Sequence, residues 1–384
     1  MDLQKRYNFI ETKLESTTAK SSSSFAEENL KNCRQLIDSA LSFVIISMPG
    51  VGVSYFLKYL AMQDFAYFIH VDIYSLPTLS QHEFYKLLLS ELGGKPKSKT
   101  NEQLLKETKE NLKNLSKKWE KIVIIFSRFD QLKSQFDWNF LSNIQSLTSV
   151  SPNKNTLIFT SIKPLYEIAP NALTGGNLNF YSENLYFQPY SKEDLKKLLK
   201  IEPSKPIPKE TLEQLLSLSG GHNQLLHILL SSQKKQLLLD RFVKMQMKEL
   251  VDYLNYQQRK QIQKLTLGKK IEEVDEYLLG VGMIKKVGSN YQLFTPLLVE
   301  YIKTNLPVKL PVKESRLFKL LRANMNRTVT KDEIFSEVWS DHSEGATDWA
   351  LDALIYRLRK HPFIKAHGYI IESQKKVGYT LIQT

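Results

Sequence analysis

An apolar run, Phe43–Ile46, leads through Ser47-Met48-Pro49-Gly50-Val51-Gly52-Val53-Ser54 directly into a helical pattern that continues to Ala61. Few local patterns constrain a fold as strongly. A buried strand, a glycine-rich turn and a helix start form a corner where backbone amides can converge on an anion. Glycine suits such a corner because it turns with positive φ and lets backbone approach closely. In the full GxxxxGK[ST] pattern, the lysine reaches the β and γ phosphates and the hydroxyl binds magnesium. Here Gly52 and Ser54 are present, Ser47 stands for the first glycine, and Val53 stands for the lysine. With a strand before it and a helix after it, the stretch reads as a phosphate loop by descent.

Further apolar runs follow at Tyr67–Ile73, Ile122–Phe126, Thr156–Thr160 and near Asn177–Tyr181, separated by helical segments. That alternation predicts a parallel sheet covered on both faces. Residues 95–121 hold nine lysines and four glutamates with leucines at helical spacing, the mark of a solvated helix and loop. Glu183–Gln188 coincides with a protease site used to remove purification tags, but Pro189 follows it. Ser191 as a cap, with Asp194 three residues on, makes the stretch read as native structure.

The pattern then divides the chain. Residues 1–24, ending in four serines, read as a flexible N-terminus; 25–190 as the α/β core; and 191–235 as a helical lid. Residues 236–305 give helices and then two short strands around Gly288-Ser289-Asn290, the order of a winged helix. Two prolines mark 306–312 as a linker, and 313–384 form a separate unit.

Residues 25–235, with the winged helix that follows, resemble the P-loop ATPases of the AAA and STAND group. Their loops often read Met-Pro-Gly-Val-Gly-Lys-Ser. The resemblance implies a P-loop NTPase fold with a helical lid, and a strand ending in acidic residues that hold magnesium. This chain has Ser127 and Arg128 at those positions; Asp130, three residues later, reads as a capping or surface residue. Ser161 falls at a sensor position, and Gln224 of 220-GGHNQ-224 stands where an arginine is frequent. Phosphoryl transfer depends on cations and magnesium at the γ phosphate, so three such losses predict no useful hydrolysis. No residue is assigned a catalytic role. Amides along Pro49, Gly50, Val51, Gly52, Val53 and Ser54 leave room for weak ATP or ADP binding without hydrolysis. The rival expectations are an empty scaffold, or an active switch in which Lys58 or Lys163 replaces the missing lysine.

The end of the chain carries a second resemblance. Its 332-DEIFSEVW-339, 354-LIYRLRKH-361 and 371-IESQKKVGYTL-381 are similar to the OmpR/PhoB-type winged helices of bacterial response regulators. Lys376 departs from that pattern, which prefers glycine there. Independently of the name, Leu351, Leu354, Ile355 and Leu358 recur at i, i+3, i+4 and i+7, making one apolar face. The opposite side presents Trp349, Ala353, Tyr356, Arg357 and Lys360, with Arg359 on the flank and Lys375 and Lys376 on the hairpin. Such a helix and wing suit duplex DNA. The formal net charge of +13 agrees, and its location decides more than its sum. From 355 to 376 six basic side chains face a single acid, Glu372, while Asp348 and Asp352 near the helix start oppose the trend.

One cysteine, Cys33, excludes a disulfide framework and fits a reducing compartment. The histidines show no metal-ligand spacing, so no metal is expected. Without a secretory or membrane-spanning pattern, the expected location is cytoplasmic. The resulting expectation is a DNA-binding regulatory protein, its ATPase-derived core serving as sensor or oligomerisation platform with a homo-oligomer or protein partner. The alternatives are a nucleotide-dependent switch, or a non-enzymatic scaffold of a larger assembly.

Overall fold

The computed structural model describes residues 25–201, 207–232, 237–305, 311–339, 347–361, 364, 368–375 and 377–383 of the 384. They form two compact units: one runs up to Ser232 and adds Glu276–Met283, the other takes in 237–275 and the chain from Ile284 onward. The flexible stretch expected at 1–24, most of the linker and Lys376 lie outside the described residues.

The first unit is built on a five-stranded parallel sheet in the order β2-β3-β4-β1-β5: β1 Phe43–Ser47, β2 Tyr67–Asp72, β3 Ile122–Ser127, β4 Asn155–Ser161 and β5 Asn184–Phe187. Every residue of the three inner strands is buried, whereas β2 and β5 alternate. Unbroken apolar runs belong to strands covered on both faces, and alternation to edges. The helices are α1 Glu27–Asp38, α2 Val53–Ala61, α3 Gln81–Glu91, α4 Asn101–Leu115 and α5 Trp138–Gln145, then α6 Lys192–Ile201, α7 Lys209–Ser219 and α8 Asn223–Ser231. Side chains set several of their starts. Ser80, Thr100 and Asp137 accept from the amides of Glu83, Gln103 and Phe140. Ser191 accepts from the Asp194 amide at 3.0 Å, as the expected cap requires. Phe84, Phe126, Phe129, Phe140 and Phe159 interlock over one face of the sheet. Cys33 is enclosed on α1, and burial pushes its thiol up to about 12, far from a reactive thiolate.

One expectation fails here. The last strand is Asn184–Phe187, within the stretch that coincides with the protease site; the residues near 177–181 instead form a helical turn, Gly176–Phe180. Pairing with β1 selects the later segment, aligning Val44 with Asn184 and Ser47 with Phe187. Glu276–Met283, which the sequence places inside the 236–305 segment, belongs to the sheet unit. The Tyr277 hydroxyl donates to the Ile162 carbonyl at 2.7 Å, and Gly280 leaves room for the Tyr186 ring.

The second unit begins with α9 Arg241–Asp252 and α10 Tyr256–Thr266, each capped at its start by Asp240 or Asn255. The antiparallel hairpin β6 Ile284–Val287 and β7 Asn290–Leu293 turns at Gly288-Ser289 and leads to α11 Pro296–Asn305. Then come α12 Val312–Ala323, β8 Thr328–Thr330, α13 Lys331–Val338, α14 Asp348–Lys360, β9 Tyr369–Gln374 and β10 Gly378–Gln383, in an antiparallel sheet ordered β8-β10-β9. A reciprocal capping box between Thr330 and Glu333 fixes the start of α13, and the Thr330 amide with Arg327 holds the Glu333 carboxyl down at about 2. Gly378 is required at its position, since a Cβ there would stand 1.9 Å from the Val329 carbonyl oxygen. Leu351, Leu354, Ile355 and Leu358 are all buried, joined by Leu317, Leu321, Ile334 and Leu381 in one core. Tyr369 and Tyr379 belong to that core as well. Among the described residues, no helix is long and apolar enough to cross a membrane.

Candidate functional site

Parallel strands bring their C-terminal ends to one edge of the sheet, where ligands of open α/β sheets bind. The loop after β1 lies at that edge. Gly50 (φ +75°) and Gly52 (φ +105°) take the left-handed turns that swing the chain into α2, and α2 starts without a side-chain cap. Among the described residues, the amides of Gly52, Val53 and Ser54 donate to no protein acceptor. That is the donor set of an anion cradle.

The other side of the loop is sealed. Carbonyls of four consecutive residues accept from the lid and the segment leading to it. His222 Nε2 donates to Pro49 O (2.8 Å), the Gln224 amide to Gly50 O (3.0 Å), the Asn223 amide to Val51 O (3.3 Å), and the Tyr190 hydroxyl to Gly52 O (2.8 Å). A Cβ on Gly50 would stand 2.2 Å from Gln224 Oε1, and one on Gly52 2.9 Å from Asn223 Cβ, so both glycines are also needed for contact with the lid. His222 caps α8 with Nδ1, which accepts the Leu225 amide at 3.2 Å, so its single proton resides on Nε2. The ring is wholly buried, and desolvation lowers its pKa to about 4.

Charge around the edge is rearranged. Arg128, with φ 59°, donates Nη1 to Asp72 Oδ1 at 3.1 Å and lies 4.9 Å from the centre of the Tyr74 ring. Ser127 Oγ donates to the same carboxylate oxygen at 3.1 Å, and His70 Nε2 contacts that hydroxyl at 3.0 Å. The acid at this edge therefore sits on β2, at the end of a His70–Ser127–Asp72 chain, and is already paired with a guanidinium. Burial lowers the His70 pKa against the raising effect of Asp72. Asp130 corrects an expectation: it turns inward, its Oδ2 accepts from the Ile162 amide at 3.4 Å, and burial raises its carboxyl. Ser161 closes a local turn with the backbone of Lys163. Lys58 lies over the ring of Tyr55. Among the described residues, no group of three or more His, Cys, Asp or Glu could hold a metal ion.

In the second unit, α14 turns the expected face to solvent. Trp349 is 81% exposed, Tyr356 58%, and Arg357, Arg359, Lys360 and Lys375 are all exposed, with Ala353 half-buried between the two aromatic residues. What the sequence does not disclose is how many of these groups are already engaged. Arg357 Nε donates to Glu314 Oε1 at 2.9 Å, and Glu314 is buried. Arg359 donates from Nε to Ile371 O (2.9 Å) and from Nη2 to Ser373 Oγ (2.7 Å), fastening the helix to the wing. Lys360 bonds to the Tyr356 hydroxyl and lies over its ring. The two opposing acids each have a partner within the unit. Lys331 Nζ is 2.9 Å from Asp348 Oδ1, and the Tyr379 hydroxyl donates to Asp352 at 2.6 Å. Burial, together with that hydrogen bond, lifts the Tyr379 pKa to about 12.

Residues 305–381 match the family described as "Transcriptional regulatory protein, C terminal". No curated protein matches the sequence. Among solved structures, the chain is similar to the Walker-type ATPase of Pyrococcus abyssi at 15% identity and TM-score 0.47, covering 72% of this chain and 95% of that one. It is similar to the ORC1 protein of Aeropyrum pernix in complex with DNA at 11% identity and TM-score 0.40, covering 92% and 87%. With the RuvB Holliday-junction branch-migration motor of Thermotoga maritima it shares 14% identity at TM-score 0.35, covering 75% and 96%. The strand–loop–helix corner, with β4 inserted between β1 and β3, makes the core an α/β fold of the P-loop NTPase kind, and the family match makes the end of the chain a regulator-type winged helix.

Proposed function

We propose that this chain is a DNA-binding transcriptional regulator whose C-terminal winged helix docks on duplex DNA, with α14 in the major groove and the β9–β10 wing along the backbone. The observation that supports this most directly is the exposed face of α14. Its cations Arg357, Arg359 and Lys360 gather toward one end, with Lys375 on the wing; Asp348 and Asp352 are tied to internal partners, and Glu372 on β9 is an exposed opposing charge. A basic helix and wing neutralise phosphates and release counterions, so affinity falls with salt. Arg357 and Arg359 position the helix against α12 and the wing strand; Lys360 and Lys375 are the phosphate contacts. The test is duplex binding by the full chain across a salt series. Lys360→Ala with Lys375→Ala is expected to weaken binding to all sequences and to reduce the log–log salt slope by about 2. An unchanged slope refutes the assigned surface.

The core is read as a regulatory platform, a sensor or a self-association surface, that does not turn nucleotide over. Val53 supplies no cation at the loop, and the acid at the sheet edge is held by Arg128. The free amides of Gly52, Val53 and Ser54 favour a second reading, in which the cradle still binds the phosphates of ATP or ADP as a switch. ATP hydrolysis above background that is lost in Ser54→Ala would establish it.

A further inference from the structure

We infer that α14 reads thymine by its methyl group, with Trp349 and Tyr356 as the specificity-determining residues. The inference rests on the reading of α14 as the groove helix. Trp349, Ala353, Tyr356 and Lys360 recur at i, i+4, i+7 and i+11, so they form one stripe along the helix. Both aromatic rings of that stripe are largely in solvent.

The two guanidinium groups that could bond guanine are each partly engaged within the unit. Arg357 gives its Nε to the buried carboxylate of Glu314, which restricts how the guanidinium can turn toward a base. Arg359 is bound twice to β9. Asp348 and Asp352, which could accept from a cytosine amino group, are held by Lys331 and by Tyr379. What the stripe still offers is an indole, a methyl and a phenol ring; among the described residues the indole N–H of Trp349 meets no acceptor, and Tyr356 keeps its own O–H while accepting from Lys360.

In the major groove only thymine carries an apolar group, its C5-methyl, and it presents the O4 acceptor beside it. An indole is a donor with an apolar body. Thymine matches both halves: O4 accepts from Nε1 while the methyl packs on the ring. Guanine and adenine offer the N7 acceptor but no methyl, and cytosine offers an amino donor that an indole cannot accept. The neighbouring cations, Lys360 on the same stripe and Lys375 on the wing, favour a polyanion over an apolar protein surface as the occupant.

The experiment starts from a pool of random-sequence duplexes retained by the full chain at low salt. A retained duplex is resynthesised with deoxyuridine replacing thymidine at each position in turn, which removes one methyl and leaves O4. The expected result is a loss of about fourfold in affinity at one to three positions, equivalent to the ~0.8 kcal/mol of one buried methylene-sized group. Trp349→Ala and Tyr356→Ala should each erase the thymidine–deoxyuridine difference at their own position while the salt slope stays the same. Trp349→Phe, which keeps an apolar ring and loses the donor, should retain the discrimination with lower affinity. Both aromatic side chains are exposed, so unchanged thermal melting is expected in all three variants. Retained duplexes that show no such difference at any position overturn the methyl reading and leave duplex binding intact. If no duplex is retained at all, the reading of α14 as a groove helix falls, and the stripe is a protein-docking face.

Discussion

The loop after β1 and the helix α14 carry the two strongest motifs of the chain, and they have opposite fates. At the loop, four consecutive carbonyls are bound by Tyr190, His222, Asn223 and Gln224, and the histidine doing part of this is buried and neutral. At α14, most charged groups are paired, while the rings of Trp349 and Tyr356 stay largely exposed, Tyr356 with Lys360 over its ring. The first region spends its polar groups on holding itself together. The second uses its pairs to fix a helix and keeps its outer stripe exposed. An inherited motif indicates where a ligand could sit, and the partners of its side chains indicate whether the residues are available for one.

The contrast yields predictions of decreasing size. His222→Ala removes a buried ring and two hydrogen bonds, and should destabilise the sheet unit by about 3 kcal/mol. Trp349→Ala should stay within about 0.5 kcal/mol of the parent protein, as exposed substitutions do. Urea unfolding followed in both variants checks the pair, and equal losses would erase the distinction between the regions.

The next effect depends on pH. The His222 pKa is lowered from an ordinary 6.5 to about 4 in the folded chain, so between those values the unfolded state binds more protons. Its contribution is fully present above pH 6.5 and is lost as pH falls toward 4, at about 1.4 kcal/mol per unit and about 3 kcal/mol in all. His70, also lowered by burial, acts in the same direction. The difference between the parent and His222→Gln, measured by unfolding at pH 7 and pH 5, isolates the latch; a difference independent of pH would contradict the buried neutral ring.

Arg357→Ala should cost about 1–2 kcal/mol, because it strips a hydrogen-bond partner from the buried Glu314 carboxylate. Glu314→Gln should recover part of that loss when combined with it, and a double-mutant cycle reads the coupling. Full additivity would mean that Arg357 is free for DNA after all. The smallest change in stability is expected for Lys360→Ala and Lys375→Ala, which should leave melting unaltered and each lower the salt slope by about 1.

Much of this fold was legible in the chain, for a physical reason. The inner strands Phe43–Ser47, Ile122–Ser127 and Asn155–Ser161 are buried on both faces and so had to be apolar throughout. The face of α14 could be read because Leu351, Leu354, Ile355 and Leu358 keep helical spacing around one core. The last strand of the sheet was less legible. Asn177–Tyr181 and Asn184–Phe187 have similar composition, and only partnership with β1 tells them apart. The latch was not legible at all, since the loop and the residues that bind it are separated by 138 to 174 positions, and nothing local marks a carbonyl that will accept from so far away. Nor does the sequence show that Arg357 and Arg359 are engaged, because Glu314 and Ser373 come to them from other elements.

Whether the end of the chain is where its activity lies can be tested most directly by titrating a labelled duplex with the full protein at increasing salt. The account predicts a linear fall of log affinity with log salt, shallower by about 2 in the Lys360→Ala, Lys375→Ala double variant. A duplex left unbound at low salt, or an identical slope in the double variant, would contradict it.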